Sequence, residues 1–254
     1  MLDLIKSLYI KQIIFSFVGE IEKLKIVRKN KKLQKNLDIS IINYKFFKRK
    51  YIIYKSNRIG KEYSYEDKLL YEGEYLNGER NGKGKEFYYG GELLFEGKYS
   101  NGKRNGKGKE YYENEKLRFE GEYLNGLRNG KGKEYYENDE ILFEGEYLNG
   151  LRNGKGKEYY ESGELFFEGN YSNELRSGKG TEYSIYKEVE FEGEFLNGKR
   201  WNGRGIEYNI NGELEFDGEY LNGKRWNGKL KEYDWEDGQI IFEGQIIDGE
   251  KIND

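Results

Sequence analysis

The chain has 254 residues, 36% of them charged, with a mean hydropathy of −1.02, yet 17% are aromatic and 25 are tyrosine; disordered chains are polar but poor in aromatics, so a folded chain is expected. Cysteine, histidine, proline and alanine are absent, which excludes a disulfide framework, the usual zinc sites and Ser-His or Cys-His catalysis. The net charge of −3 conceals an asymmetry, because residues 1–70 carry 17 Lys plus Arg against 7 Asp plus Glu, or +10, and leave −13 for the remainder; a basic head on an acidic body suggests two functional parts.

Residues 1–45 form the head. IKSLYIKQIIFSFV, then Gly19, then EIEKLKIVRKNKKLQKNL reads as two amphipathic helices, with Ile21, Leu24, Val27, Leu33 and Leu37 as the buried positions of the second. The most apolar run, LYIKQIIFSFVGEI, is interrupted by Lys11 and Gln12 and is far shorter than the ~20 residues of a membrane span. No small-residue cleavage site follows it. The expectation is a cytoplasmic protein, with a membrane-peripheral arm as the alternative.

Residues 46–254 are repetitive. FEGEYLNGLRNGKGKEYYE at 119–137 returns unchanged at 143–161, and an aromatic-acid-Gly unit begins at Tyr71, Phe95, Phe119, Phe143, Phe167, Phe191, Phe216 and Phe242, spaced by 24 residues five times, then 25, then 26. A degenerate copy occupies 47–70 and the last copy is partial. In KLRFEGEY, Leu117, Phe119, Gly121 and Tyr123 alternate with charged residues, the period of a strand with one buried face. The second strand is KGKEYYE. Its first tyrosine column, containing Tyr111, Tyr135 and Tyr159, is aromatic in every copy, whereas the second, containing Tyr112 and Tyr136, elsewhere admits Ser, Asn and Asp. The first column is therefore expected inside with Leu117 and Phe119, and the second in water.

A three-residue turn such as ESG or YGG, with Gly in the left-handed position, joins the second strand to the next repeat, and Glu115 in that position should be strained. The other connection, LNGxRNG, carries two Asn-Gly turn signals. Glycine inside a strand is costly unless something needs the space. All eight copies have it, at Gly73, Gly97, Gly121, Gly145, Gly169, Gly193, Gly218 and Gly244, so a neighbouring aromatic is expected to lie across each.

At this point the phrase [YF]EGEYLNGxRNGKGKEYY is recognisable: it resembles the MORN repeat, an aromatic-x-Gly-x-aromatic strand, a glycine turn and a Gly-x-Gly second strand. One departure is Asn81, Asn105, Asn129 and Asn153 where His is frequent in that family. The resemblance implies a mainly β fold, a single-layer solenoid of antiparallel hairpins forming a twisted, curved sheet on the order of 75 Å long, with its aromatics stacked along one groove. The head also resembles a degenerate F-box, without its usual Leu-Pro start and Trp. That likeness implies docking on a Skp1-like adaptor, and a helical cap on the array is the other reading.

No catalytic residue, metal or cofactor is expected. GKGKE lacks the Ser or Thr of a P-loop and sits in a strand, and Glu120, Glu144 and their equivalents fall on the polar face. Trp201 and Trp226 occupy matching one-residue insertions, KRWNG, and Trp235 follows; they close the end of the core or form a binding hot spot. The expected function is a non-enzymatic protein-interaction scaffold, with Trp201, Trp226, Trp235, Tyr111, Tyr135 and Tyr159 as candidate contacts, and a ubiquitin-ligase substrate receptor if the head is F-box-like. The alternative is an adaptor whose basic head binds acidic phospholipid. An acidic body disfavours nucleic acid. The pattern leaves the oligomeric state open.

Overall fold

The computed structural model describes residues 50–56, 58–234 and 238–253. The head (1–45) and Trp235 lie outside them. Eighteen strands, numbered in chain order, each pair antiparallel with the next and make one open, single-layer sheet, and the described residues contain no helix. The expected hairpin array is therefore present, and it includes the degenerate copy, whose strands β1 (Lys50–Tyr54) and β2 (Ile59–Ser64) join the same sheet.

The repeat from Leu117 shows how the sequence dictates its hairpins. Strands β7 (Leu117–Leu124) and β8 (Leu127–Tyr135) are joined by Asn125 and Gly126 alone, both left-handed at φ 53° and 93°. Two left-handed residues make the tight turn whose twist suits paired strands. LNGLRNG is thus not one long loop. Its second Asn-Gly lies within β8 as a bulge: Tyr123 pairs with Arg128 and Gly121 with Gly132, so three residues of β8 oppose one of β7.

At the opposite rim the turn is the expected three-residue one. The Tyr112 amide donates to the Lys116 carbonyl (2.9 Å) and the Glu115 amide to the Tyr112 carbonyl (3.0 Å). Its third residue is left-handed, at φ 109° for Gly91, 92° for Gly163 and 63° for Glu115, so Glu115 holds a conformation that costs a residue bearing a Cβ.

One expectation is overturned here. On leaving the turn Tyr111 pairs with Leu117 but Glu110 pairs with Phe119, so Arg118 has no opposite number. A one-residue bulge re-aims the side chains around it. Glu110, not Tyr111, shares the face of Phe119.

The core is a line of rings on one face. Phe119, Gly121 and Tyr123 of β7 share it with Arg128, Gly132 and Glu134 of β8. The Phe119 ring is fully buried and meets Tyr123 of its own strand edge-on at 5.7 Å and Tyr147 of the next repeat at 5.3 Å. The same zigzag runs unbroken from Tyr75 to Phe216, each such pair worth roughly 0.5–1.5 kcal/mol beyond its burial. The glycines make room for it. A Cβ on Gly121 would stand 2.6 Å from Phe119 Cζ and 2.7 Å from the Gly132 Cα, and one on Gly132 would meet the same ring at 2.5 Å and Tyr147 at 3.1 Å. The ring across each strand glycine is therefore chiefly that strand's own, with the next repeat's tyrosine pressing on its partner glycine.

Candidate functional site

A single layer must still cover its rings, and arginine and glutamate do so. Arg128 lies over the Phe119 ring with its guanidinium carbon 3.9 Å from the centroid, and it bridges Glu110 (2.6 Å) of the preceding repeat and Glu134 (3.0 Å) of its own. Arg104 does the same between Glu86 and Glu110, and Arg152 between Glu134 and Glu158. The result is an alternating roof of cations and carboxylates over the aromatic line. Tyr147 donates its hydroxyl to Glu134 Oε1 (2.7 Å), tying ring to roof. Burial pushes the Glu134 carboxyl up, but Arg152, Tyr147 and Arg128 outweigh it and hold the group below its ordinary value. Burial likewise raises Glu110, and Arg128 and Arg104 overcome it. Residue type does not tell these glutamates from Glu120 and Glu144; what marks them is the arginine that recurs in each copy from Arg80 to Arg225.

The opposite face is open. A groove of about 1950 Å³ runs along it from Lys55 to Glu194, its floor the glycine backbone and its walls lysine and glutamate. One wall is neutralised strand by strand: Lys109 pairs with Glu120 (3.4 Å), Lys133 with Glu144 (2.9 Å) and Lys157 with Glu168 (3.1 Å). In the other wall the carboxylates turn inward instead. Glu74 accepts from the Lys83 amide (2.9 Å) and Glu146 from the Lys155 amide (3.4 Å), at the bulged strand. The exposed ammonium groups of Lys83, Lys98, Lys107, Lys131, Lys155 and Lys179 are consequently left without an ion pair among the described residues. Lys83 and Lys98 face each other across the strands, and Lys107 follows on the next strand, so this stretch is locally cationic.

The tyrosine candidates stand beside the neutral wall. Tyr111, Tyr135 and Tyr159 donate their hydroxyls to Glu96 (2.7 Å), Glu120 (2.8 Å) and Glu144 (2.8 Å), half-buried on the groove face rather than inside with Phe119. Burial and the carboxylate each keep the phenol protonated, pushing Tyr135 and Tyr159 up to about 12. The second column is not in water either: Tyr112 and Tyr136 donate to the carbonyls of Tyr135 and Tyr159 one repeat on (both 2.8 Å), half-buried and tying repeat to repeat. Both corrections follow from the bulge at Tyr111.

Trp201 in β14 (Lys199–Tyr208) and Trp226 in β16 (Lys224–Tyr233) do not join the tyrosines. Each is half-buried over the glycine of the next two-residue turn, Asn222-Gly223 or Asp248-Gly249, where a Cβ on Gly223 would come within 3.2 Å of Trp201 and one on Gly249 within 3.4 Å of Trp226. Their carbonyls accept the amides of those same glycines (2.8 and 3.0 Å). Each insertion thus covers the turn of the following repeat, and the five candidates among the described residues do not form one site.

No curated protein sequence matches the chain. Among solved structures, one described as "Crystal structure of GtfA/B complex bound to UDP and GlcNAc" matches 57% of this chain and 24% of its own length at 10% identity, with a TM-score of 0.16, too slight a likeness to carry an argument. The chain spans about a quarter of that structure. The family model "MORN repeat" matches six tandem stretches, 71–92, 95–115, 119–140, 143–164, 167–184 and 191–212, together half of the chain. The copies from Phe216 and Phe242 lie beyond the matched stretches, yet their strands continue the same sheet, with the register inside the hairpin from Phe216 shifted by two residues at the Trp226 insertion, so that Phe216 pairs with Leu230 rather than with Glu232. Such repeats commonly serve as protein- or membrane-binding modules and are generally non-enzymatic. The chain is a member of the MORN repeat family.

Proposed function

We propose that the chain is a non-enzymatic, cytoplasmic interaction scaffold whose groove face holds a protein partner. The observation that carries this reading is the asymmetry between the groove walls. The neutral wall satisfies itself, whereas the other presents unpaired ammonium groups at each repeat over an accessible backbone floor. A segment with carboxylates on one side and tyrosine-compatible groups on the other meets both walls, and a lysine row fixes its register through charge. Residues 1–45 supply the second attachment in this scheme, as a Skp1-type docking segment that would make the bound partner a ubiquitination target.

Co-purification from the cell of origin tests it. The full chain should retain a protein partner that K107E/K131E/K155E loses, and loss of residues 1–45 should release a Skp1-like adaptor while leaving that partner bound. A membrane adaptor behaves differently. Flotation of the full chain with phosphatidylserine vesicles, insensitive to the groove substitutions, together with no groove-dependent protein capture, would replace the scaffold reading with lipid binding through the basic head. The repeats themselves carry the acidic balance and should be repelled by such a surface.

A further inference from the structure

The Asn-Gly rim carries exposed apolar side chains outside the aromatic line. Leu124 and Leu127 pair across their turn at 49% and 50% exposure, Leu148 and Leu151 across the next at 50% and 40%, and Leu175 follows at 47%. Single exposed leucines are ordinary, but five in register over three consecutive turns form a patch. Beyond it the turns become mixed: Ser100 pairs with Lys103 and, one turn further, Leu76 (52% exposed) with Glu79, while on the other side Leu196 (43%) pairs with Lys199.

We propose that two copies of the chain pair through this rim, about a two-fold axis between the Leu124/Leu127 turn and the Leu148/Leu151 turn. A two-fold contact uses one patch on both copies, and turns repeating every ~10 Å, two strand spacings, remain in step when the same rim runs back antiparallel. At the axis Leu124 and Leu127 of each copy meet Leu148 and Leu151 of the other. One turn outward, Lys103 meets Leu175 and lays its methylene stem over it with the ammonium in water. One turn further, Glu79 meets Lys199, an opposite charge at both outer ends of the contact. Moving the axis onto the Leu148/Leu151 turn would set Lys103 against Lys199 instead, so charge selects the register. The twist of each sheet carries the remaining turns apart. An amphipathic helix of another protein would also cover the leucines, but it would draw nothing from matching Glu79 to Lys199.

Light scattering and sedimentation of the full chain over a concentration series test the pairing. The expected mass is twice the 30.1 kDa of the chain. L127K/L151K should halve it, and E79K should weaken the dimer about tenfold, since each lost rim pair counts twice; adding K199E to E79K should restore it. All these positions are exposed, so circular dichroism and melting should stay at wild-type values and separate lost pairing from lost folding. A wild-type chain that is monomeric throughout overturns the proposal. So does a dimer that survives L127K/L151K, or an E79K/K199E chain that pairs no better than E79K.

Discussion

The two faces of this sheet are lined with the same chemistry, alternating cations and carboxylates, and differ in what lies beneath. On the aromatic face Arg128 and its partners Glu110 and Glu134 are only 18%, 14% and 17% exposed, because they rest on rings. On the groove face Lys133 and Glu144 are 42% and 34% exposed over glycine backbone. A planar guanidinium can lie flat on a ring and still bridge two carboxylates, which an ammonium cannot do. The first ladder seals a core that has no second layer, and the second stays hydrated and available. Removing a member of the sealed ladder strands a buried charge, whereas an exposed pair has little to lose.

The severest way to break this division is to fill a notch. Gly121→Ala places a methyl 2.6 Å from the Phe119 ring and 2.7 Å from the Gly132 backbone, and the backbone cannot give way. An overpacked site of this kind costs about 3 kcal/mol, read as a lowered urea midpoint. Because the array is stabilised by nearest-neighbour contacts, hydrogen exchange should quicken most in the repeats flanking Phe119. Arg128→Ala comes next. It uncovers Phe119 and leaves Glu110 and Glu134 each with one arginine of two, so a loss of about 2 kcal/mol is expected, discounted for the partial exposure of the trio.

How far the sequence revealed this division depends on which signal each residue gives. The strands and the strand glycines are legible because an in-chain alignment shows which columns never change, and the left-handed turn positions because Gly and Asn mark them. Tyr111 was misplaced because alternation is a reliable guide only along a regular strand; one unpaired residue, Arg118, reverses the count, and Arg118 itself is an ordinary strand residue with nothing to mark a bulge. Nothing in the residue type marks Glu134 as part of the roof, because residue type does not tell a roof from a rim. The recurrence of Arg128 and its equivalents in seven of the eight clear copies is the available clue, since a cation that only meets water has no reason to be arginine rather than lysine seven times over.

Alkaline titration sharpens the contrast between faces. The ordinary tyrosine value is 10.0; burial and Glu120 hold Tyr135 at about 12, and burial with Glu134 drives Tyr147 on the aromatic face higher still. A phenol raised in the folded state contributes stability that is complete below the unfolded value and is lost as pH climbs through the folded one. Stability should therefore decline from about pH 10 upward. Tyrosinate absorbance should separate the faces: Tyr135 and Tyr159 of the groove face should ionise near pH 12 while far-UV circular dichroism still reports the sheet, and aromatic-face phenols such as Tyr147 only as the sheet melts. A single step coincident with melting would mean that the groove tyrosines are no more accessible than the core.

The smallest effect is the most discriminating. Lys133→Gln deletes the groove-face pair with Glu144, whose 2.9 Å separation is comparable to the 3.0 Å of Arg128 and Glu134. If distance governed stability, the two losses would be alike. Yet at Lys133 water replaces the partner, long side-chain rotamers are released, and no ring is uncovered, so the change should stay within about 0.5 kcal/mol of zero and shrink further in salt. Urea titrations of K133Q and R128A under one set of conditions compare like with like. A K133Q cost approaching that of R128A would mean that the groove wall, too, supports the fold, and a surface the fold depends on is less free to rearrange around a partner.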